Sequence, residues 1–357
     1  MAKGFRGPIT WRLLRGLHIS NPSLLNMFGS IMGGVLKSLK PQRFKEIKEA
    51  WNEHCSSYTK REFNRYIACY MIYGVLPEEY ICYRFGSLND TGRREYLSEF
   101  SRHELYDTCN SADELHCFEN KYETYELYKE FFRRDALLID GNVSEAIFYQ
   151  FVKDHKRFIC KPLKLYLGIG IEVIDSDRYD SASQLLSYIR QKGECIIEEL
   201  IIQSEDLSKF HKESVNTIRI PTIRTKEGIK LLDPFFKTGT GKSNVDNAGA
   251  GGVFAAIDKK SGIITTVGID EKGNEYLRHP DSGLVFPGFQ LPDWDQALDL
   301  VEKLMMIKPE IRYVGWDLAH TSKGWVVVEG NHEGQLVGQM PLHRGCAKEA
   351  KMIMERL

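Results

Sequence analysis

Several features are missing from this chain of 357 residues. It has no run of about 18 consecutive apolar residues, so no helix is expected to cross a bilayer. The apolar stretch near the N-terminus is broken and has no convincing cleavage site, so no secretory signal is expected. The eight cysteines (Cys55, Cys69, Cys82, Cys109, Cys117, Cys160, Cys195, Cys346) never form a CxxC pair. That spacing argues against a zinc ligand set and against a disulfide framework, and leaves reduced intracellular thiols as the expectation. Formal net charge is −1, which gives the whole chain no bias toward nucleic acid. Internal repeats and low-complexity tracts are absent. No Ser-His-Asp or Cys-His arrangement stands out. A phosphate-binding P-loop is also missing. "GTGKS" ends like one, but the glycine required five residues before Gly241 is Phe236, and the following "NVDNAGAGG" will not open a helix.

What is present reads as a soluble globular chain. Apolar content is 42% and charged content 27%, both ordinary. The length suits two or three packed subdomains. Residues 41–135 read as helical, with apolar residues in "PQRFKEIKEAWNEHCSSYTKREFNRYIACYMIYG" at three- and four-residue spacing and Gly74 as the stop. The character changes near residue 136. "ALLID", "FICKPLKLYLGIGIEVI", "ECIIEELII", "TIRIPTIRT", "GIKLLDPFFKT", "GVFAAID", "GIITTVGID", "YVGWDLAH" and "WVVVEGN" are β-type runs. Helical segments are expected at 181–192, 204–214 and 293–307. Strands that follow strands directly predict an α+β fold rich in antiparallel hairpins and argue against a doubly wound parallel sheet. The Gly-rich stretch 237–252 reads as a long loop, and such loops in compact domains are usually functional or disordered.

The N-terminus is locally basic. Residues 1–48 hold nine Lys or Arg and one acid, Glu46, an excess of eight. Leu13, Leu14, Leu24, Leu25, Met27, Phe28, Ile31, Met32, Val35 and Leu36 lie between these charges. Such a segment suits either an anionic membrane surface or a helix docked on its own domain.

Three clusters point to chemistry. Lys161 ends a strand and precedes a turn with Gly168 and Gly170. Glycine turns let backbone N–H groups approach phosphate oxygens, and a lysine adds a point charge; an ordinary hairpin reads the same way. Glu198 and Glu199 interrupt the apolar run of "CIIEELII". Two acids there are costly unless the chain bends to expose them or they have a partner. Asp317, Glu329 and Asn331 are oxygen ligands. Glu329 and Asn331 share a strand face, and a hairpin turning at "HTSKG" brings Asp317 near them. Three hard oxygen donors on one face suit Mg²⁺. A hairpin with polar ends is the plainer alternative.

In this order, the clusters resemble the ATP-grasp superfamily, and most closely its sugar-transfer-associated family. The residues that carry the resemblance are "NKYETYELY", "ICKPLKLYLGIGI", "CIIEELIIQSEDL", "ESVNTIRIPT", "VDNAGAGGVFAAID", "HPDSGLVFPGFQLPDW" and "VGWDLAHTSKGWVVVEGN", spanning residues 120–332. The helical stretch with "YGVLPEEYICYRF" is similar too.

The resemblance implies an ATP-grasp fold: two α+β subdomains clasping ATP, preceded by a helical N-terminal region at 1–118. The ATP-grasp domain would occupy 119–357, with a lid near 136–198 and a large subdomain near 199–345. Lys121 would reach the nucleotide from before the lid, and Lys161 would sit on its α- and β-phosphates, with Gly168 and Gly170 in the turn over them. Glu198, Glu199, Leu200 and Ile201 would form the hinge that reads adenine, with Glu205 near the ribose. Arg219 would face the reacting phosphoryl group beside Lys161. Asp317, Glu329 and Asn331 would hold Mg²⁺. Asp246, Asn247 and His279 belong to the subfamily pattern and are expected on the acceptor side.

The implied activity is an ATP- and Mg²⁺-dependent carboxylate–amine ligation through an acyl phosphate, in cell-surface polysaccharide, glycolipid or peptide-like metabolite biosynthesis. A kinase acting on a hydroxyl, or a catalytically silent nucleotide-binding scaffold, would use the same residues differently. The expected partners are a small-molecule carboxylate and an amine, not nucleic acid. The expected location is cytoplasmic, with peripheral contact to the inner membrane face through the basic N-terminus as a further expectation.

Overall fold

A computed structural model describes residues 9–54, 59–164, 170–241, 246 and 251–357. Two antiparallel sheets organise it. In the smaller, β1 (Ala136–Ile139), β2 (Arg157–Pro162), β3 (Glu172–Asp175) and β4 (Cys195–Glu199) lie in the order β1-β4-β2-β3. Helices Glu145–Asp154 and Ala182–Gln191 cover one face of it. The second starts where Ser181 accepts from the Gln184 N–H, and it buries Leu185, Leu186 and Ile189 against Phe158 and Ile197.

Among the described residues the larger sheet has eight strands. These are β5 (Thr217–Thr225), β6 (Gly228–Leu231), β7 (Phe235–Thr238), β8 (Val253–Ala256), β9 (Gly268–Ile269), β10 (Glu275–Tyr276), β11 (Tyr313–Thr321) and β12 (Gly324–Asn331). They run in the order β10-β9-β8-β7-β5-β11-β12, with β6 beside β5. One face of this sheet packs on the helix Trp294–Ile307, where Ile218, Ile220, Phe236, Trp316 and Val327 meet Val301, Leu304 and Met305.

The opposite face is covered in pieces. At the β7–β9 end, Phe235, Phe254 and Ile269 join the aromatic core of the N-terminal helices, where Trp51 stacks on Tyr66 at 4.7 Å. Near the start of β11, Tyr313 packs with Ile223, Leu336 and the helix Glu99–Cys109. Between these two covers Arg219, Lys237, Asp317 and Glu329 remain on the same face, because each is a direct cross-strand partner of the next or two residues away on its strand. The site occupies this gap. The N-terminal helices therefore share a core with the large sheet rather than forming a unit with a core of their own.

Some local expectations change. The helical run through residue 74 divides into Pro41–His54 and Lys60–Tyr73. Gly74 ends the second at φ 68°, a left-handed conformation that glycine adopts without a Cβ penalty. The helix expected at 204–214 is only Glu205–Ser208. Asn216 Nδ2 donates to the carbonyls of Leu207 and His211, at 2.9 and 2.8 Å, supplying the hydrogen bonds that a longer helix would have taken from its own backbone. The cysteines among the described residues are buried and unbridged.

Candidate active site

The two sheets face each other across a cleft of about 1110 Å³. Its walls include Ile159, Lys161 and Glu198 of the small sheet, and Thr217, Lys237, Asp317 and Glu329 of the large one. Lys121 and Thr124 enter from the helix Lys121–Phe132, and Asp246 closes one side.

Glu198 resolves the question raised by paired acids in an apolar strand. The strand does not bend to expose it, and it is only 2% exposed. Lys161 Nζ lies 2.8 Å from one of its oxygens, and Arg134 Nε donates to the other at 2.7 Å. Burial pushes its pKa up, but the charges of Arg134 and Lys161 outweigh that and hold it at about 2. Glu199 points the other way and accepts from the Asp135 N–H at 3.2 Å. Arg134 also donates to the carbonyls of Val327 and Val328, at 2.5 and 3.3 Å, and so ties the small sheet to β12. Neither this arginine nor its tether is marked in the sequence.

On the large sheet, Asp317 is the cross-strand partner of both Arg219 and Glu329. Arg219 holds it through two hydrogen bonds of 2.6 Å. Gly315 leaves room for that guanidinium, since a Cβ there would come within 3.0 Å of Arg219 Cδ. Lys237 Nζ lies 3.2 Å from Asp317 and 3.8 Å from Asp246, and Asn331 donates to Asp317 at 3.4 Å. Burial raises the Asp317 pKa, but Arg219 and Lys237 bring it below its ordinary value. Asp246 goes the other way, its burial prevailing over the Lys237 charge, with the Thr217 hydroxyl as a donor. Lys121 Nζ stands 3.9 Å from Glu329. Its pKa is lowered by burial, which the Glu329 charge opposes and the Lys161 charge reinforces.

A β-bulge sets Glu329. Asp317 pairs with Glu329, whereas the next residue, Leu318, pairs with Val327, so Val328 is extra. Strict alternation would put Glu329 on the same face as the core residue Val327. The extra residue turns Glu329 onto the face of Asp317 instead.

The structure brings Lys121, Lys161, Glu198, Glu199, Leu200, Ile201, Asp246, Asp317 and Glu329 to one cleft. Leu200 and Ile201 lie just past the β4 pairing, where the chain leaves the small sheet. Arg219 and Asn331 stand behind Asp317 rather than on the cleft wall. Gly170 is exposed at φ 76° before β3; Gly168 and Asn247 fall outside the described residues. Glu205 is exposed at the start of its short helix and is not part of the wall. His279 is away from it too. Its Nε2 meets the Gly239 carbonyl at 2.9 Å, and its Nδ1 accepts from the N–H groups of Asp281 and Ser282 at 3.2 and 3.3 Å. Both ring nitrogens are spent holding a turn. Lys237, missed as a site residue, had one signal: a lone charge on the apolar strand "FFKT".

No curated protein matches the chain. Among solved structures, the ATP-grasp ligase PsnB in complex with minimal precursor aligns at TM-score 0.43 and 13% identity, over 70% of this chain and 63% of that one. The D-alanyl-alanine synthetase A of Vibrio cholerae O1 biovar eltor aligns at 0.43 and 8% identity, over 67% and 65%. An ADP complex of purK, N5-carboxyaminoimidazole ribonucleotide synthetase, aligns at 0.40 and 10% identity, over 62% and 46%. The chain spans less than two thirds of the length of each. At this distance none of them bears on activity or substrate. The sequence pattern described as sugar-transfer associated ATP-grasp matches residues 100–355, well over half of the chain. The protein belongs to the sugar-transfer associated ATP-grasp family.

Proposed function

We propose that the protein is an ATP- and Mg²⁺-dependent ligase that joins a carboxylate to an amine through an acyl phosphate. The observation that carries this is the cleft itself, with a buried lysine–arginine–glutamate group on one wall and a carboxylate row on the other. Family membership supports ATP as the nucleotide. In this reading the small sheet, near 136–198, is the lid over a large subdomain near 199–345, with 1–118 as the helical region beside it.

Adenine would sit against the backbone from Glu199 to Ile201, where the chain passes beyond strand pairing. Lys161 and Lys121 would take the phosphates, and Glu198 and Arg134 keep Lys161 directed into the cleft. The donor set of Asp317, Glu329 and Asn331 fits Mg²⁺, which prefers carboxylate and other hard oxygens. Lys237 and Asn331 both meet Asp317 Oδ2, so Oδ1, which accepts from Arg219 Nε, keeps a second lone-pair site. When bound, the ion neutralises phosphate charge and helps orient the transferred group. Arg219 holds Asp317 in place and adds a fixed positive charge behind it. Asp246 and Lys237 would line the acceptor end, a role the buried turn contacts of His279 do not favour.

The substrate carboxylate would attack the γ-phosphorus as its bond to the β–γ bridging oxygen breaks, releasing ADP. A neutral amine would then attack the acyl carbon, expel phosphate and lose its proton to solvent, leaving an amide. The protein's share is positioning and charge neutralisation, and no protein nucleophile is needed. The family's association with sugar transfer favours a substrate from cell-surface polysaccharide, glycolipid or peptide-like metabolite synthesis. A cytoplasmic site is the reading that suits an ATP supply. Among the described residues no helix is long and apolar enough to cross a membrane.

The test is a screen of candidate acids and amines that reads free phosphate. Release that requires both substrates, and disappears in Lys161→Ala and Glu329→Ala, is the expected result. Phosphate retained on a hydroxyl product would replace the ligase with a kinase. Normal turnover in both variants would overturn the site.

A further inference from the structure

The helix Pro22–Leu39 is apolar on two sides. Its inner side docks on the helix Lys60–Tyr73 through Leu25 and Gly29, and Phe28, Met32 and Leu36 pack on the same core. The approach is close, because a Cβ on Gly29 would collide with the Asn64 carbonyl. On the outer side Leu24, Met27, Ile31 and Val35 are 53%, 55%, 58% and 40% exposed. They recur at three- and four-residue spacing, so they share a face. Leu39, at the end of the same helix, is 76% exposed.

The polar residues around this face are unusual. From Gly16 to Leu36 there is no Asp, Glu, Lys or Arg. The exposed positions between the apolar ones are Ser23, Ser30 and Gly34. A helix face kept in water normally carries charge. Charges resume only at the ends, and they are basic: Arg12 and Arg15 before, Lys37 and Lys40 after, with no acid before Glu46. Arg15 is engaged by Glu104. Lys37 and Lys40 are exposed.

We infer that this outer face is a docking surface for an anionic lipid bilayer. The helix would lie in the interface with Leu24, Met27, Ile31 and Val35 toward the acyl chains and Lys37 and Lys40 at the phosphates. Its 18 residues make a rod about 27 Å long, at about 1.5 Å per residue. The apolar stripe supplies burial and the basic ends supply charge complementarity, which favours an anionic membrane over a second copy of this helix, since two copies would bring like charges together. This inference stands independently of the ligase reading.

The experiment sediments the full chain with vesicles of phosphatidylcholine alone, or of phosphatidylcholine mixed with phosphatidylglycerol. Thermal unfolding serves as the fold control, so the result does not depend on any turnover assay. The native chain should pellet with the anionic vesicles and not with the neutral ones. Met27→Glu/Ile31→Glu should lose the interaction while unfolding at the native temperature. Lys37→Ala/Lys40→Ala should weaken it roughly thirtyfold, from about 1 kcal/mol for each basic residue at the surface. No pelleting with either vesicle, equal pelleting with both, or undiminished binding by Met27→Glu/Ile31→Glu would overturn the inference. So would a dimer in solution that Met27→Glu/Ile31→Glu dissociates, which would assign the face to a second copy.

Discussion

Each wall of the cleft buries a carboxylate between two cations. On the small sheet Glu198 lies between Arg134 and Lys161; on the large sheet Asp317 lies between Arg219 and Lys237. The surroundings differ. The Glu198 group sums to one positive charge, and Lys121 stands beside it in the cleft. Around Asp317, Glu329 and Asp246 add two acids to the cations Arg219 and Lys237, so the carboxylates of this sheet outnumber its cations, and Lys121, 3.9 Å from Glu329, stands between the two walls. One wall is thus suited to phosphate and the other to a metal cation. The walls also differ in reach. Arg219, Asp317 and Glu329 are direct partners within one sheet, whereas Arg134 spans from Glu198 to the β12 carbonyls.

The comparison is broken most severely by removing either carboxylate. Glu198→Ala leaves Arg134 and Lys161 without their carboxylate, and Asp317→Ala leaves the buried Arg219 without its own while Lys237 keeps Asp246 at 3.8 Å; each should cost about 3–5 kcal/mol. Urea unfolding measures this. A loss below about 1 kcal/mol in either variant, the value of a surface pair, would mean that its wall is not a buried ion cluster. Glu329→Gln should separate site from scaffold. Glu329 is partly exposed, so stability should change by no more than about 0.5 kcal/mol. Turnover should fall by on the order of 10²-fold, as when one electrostatic contact to a transition state is lost.

Acid sharpens the comparison further. Glu198 ionises at about 2 in the folded chain against an ordinary 4.5. Its folded value is depressed, so its contribution is fully present above pH 4.5 and is lost as the pH falls toward 2. A Glu198→Gln chain, measured against the native one across that window, should lack this part of the acid sensitivity; parallel curves would contradict the assignment. The smallest effect belongs outside the cleft. Thr59 accepts from the Glu62 N–H and Glu62 caps Thr59 in return. Thr59→Ala should lower stability by about 1 kcal/mol and leave turnover unchanged in the phosphate-release assay.

Much of this was legible in the residues. The antiparallel hairpins, the α+β class and the nearness of Asp317 to Glu329 follow from strand runs joined by short turns. The bulge at Val328 does not, because "WVVVEGN" has the same letters with or without it and only the pairing to β11 decides the face. Arg134 follows Arg133 and precedes Asp135, and nothing local distinguishes which arginine turns inward. That choice is made by Glu198, which lies 64 residues further along the chain. His279 shows the opposite limit. A histidine in a family pattern suggested the acceptor side, while its position in space gives both ring nitrogens to a turn. The shared core of the N-terminal helices and β7–β9 is a third case, since Phe235 and Phe254 look like any strand residues until their neighbours are known.

The most direct test of the two-wall account is calorimetric titration of ATP, with and without Mg²⁺, into the native chain, Lys161→Ala and Glu329→Gln. The account predicts that Lys161→Ala weakens binding under both conditions, whereas Glu329→Gln loses only the increment that Mg²⁺ adds. Equal ATP affinity in all three chains, or a Mg²⁺ increment that survives in Glu329→Gln, would contradict it.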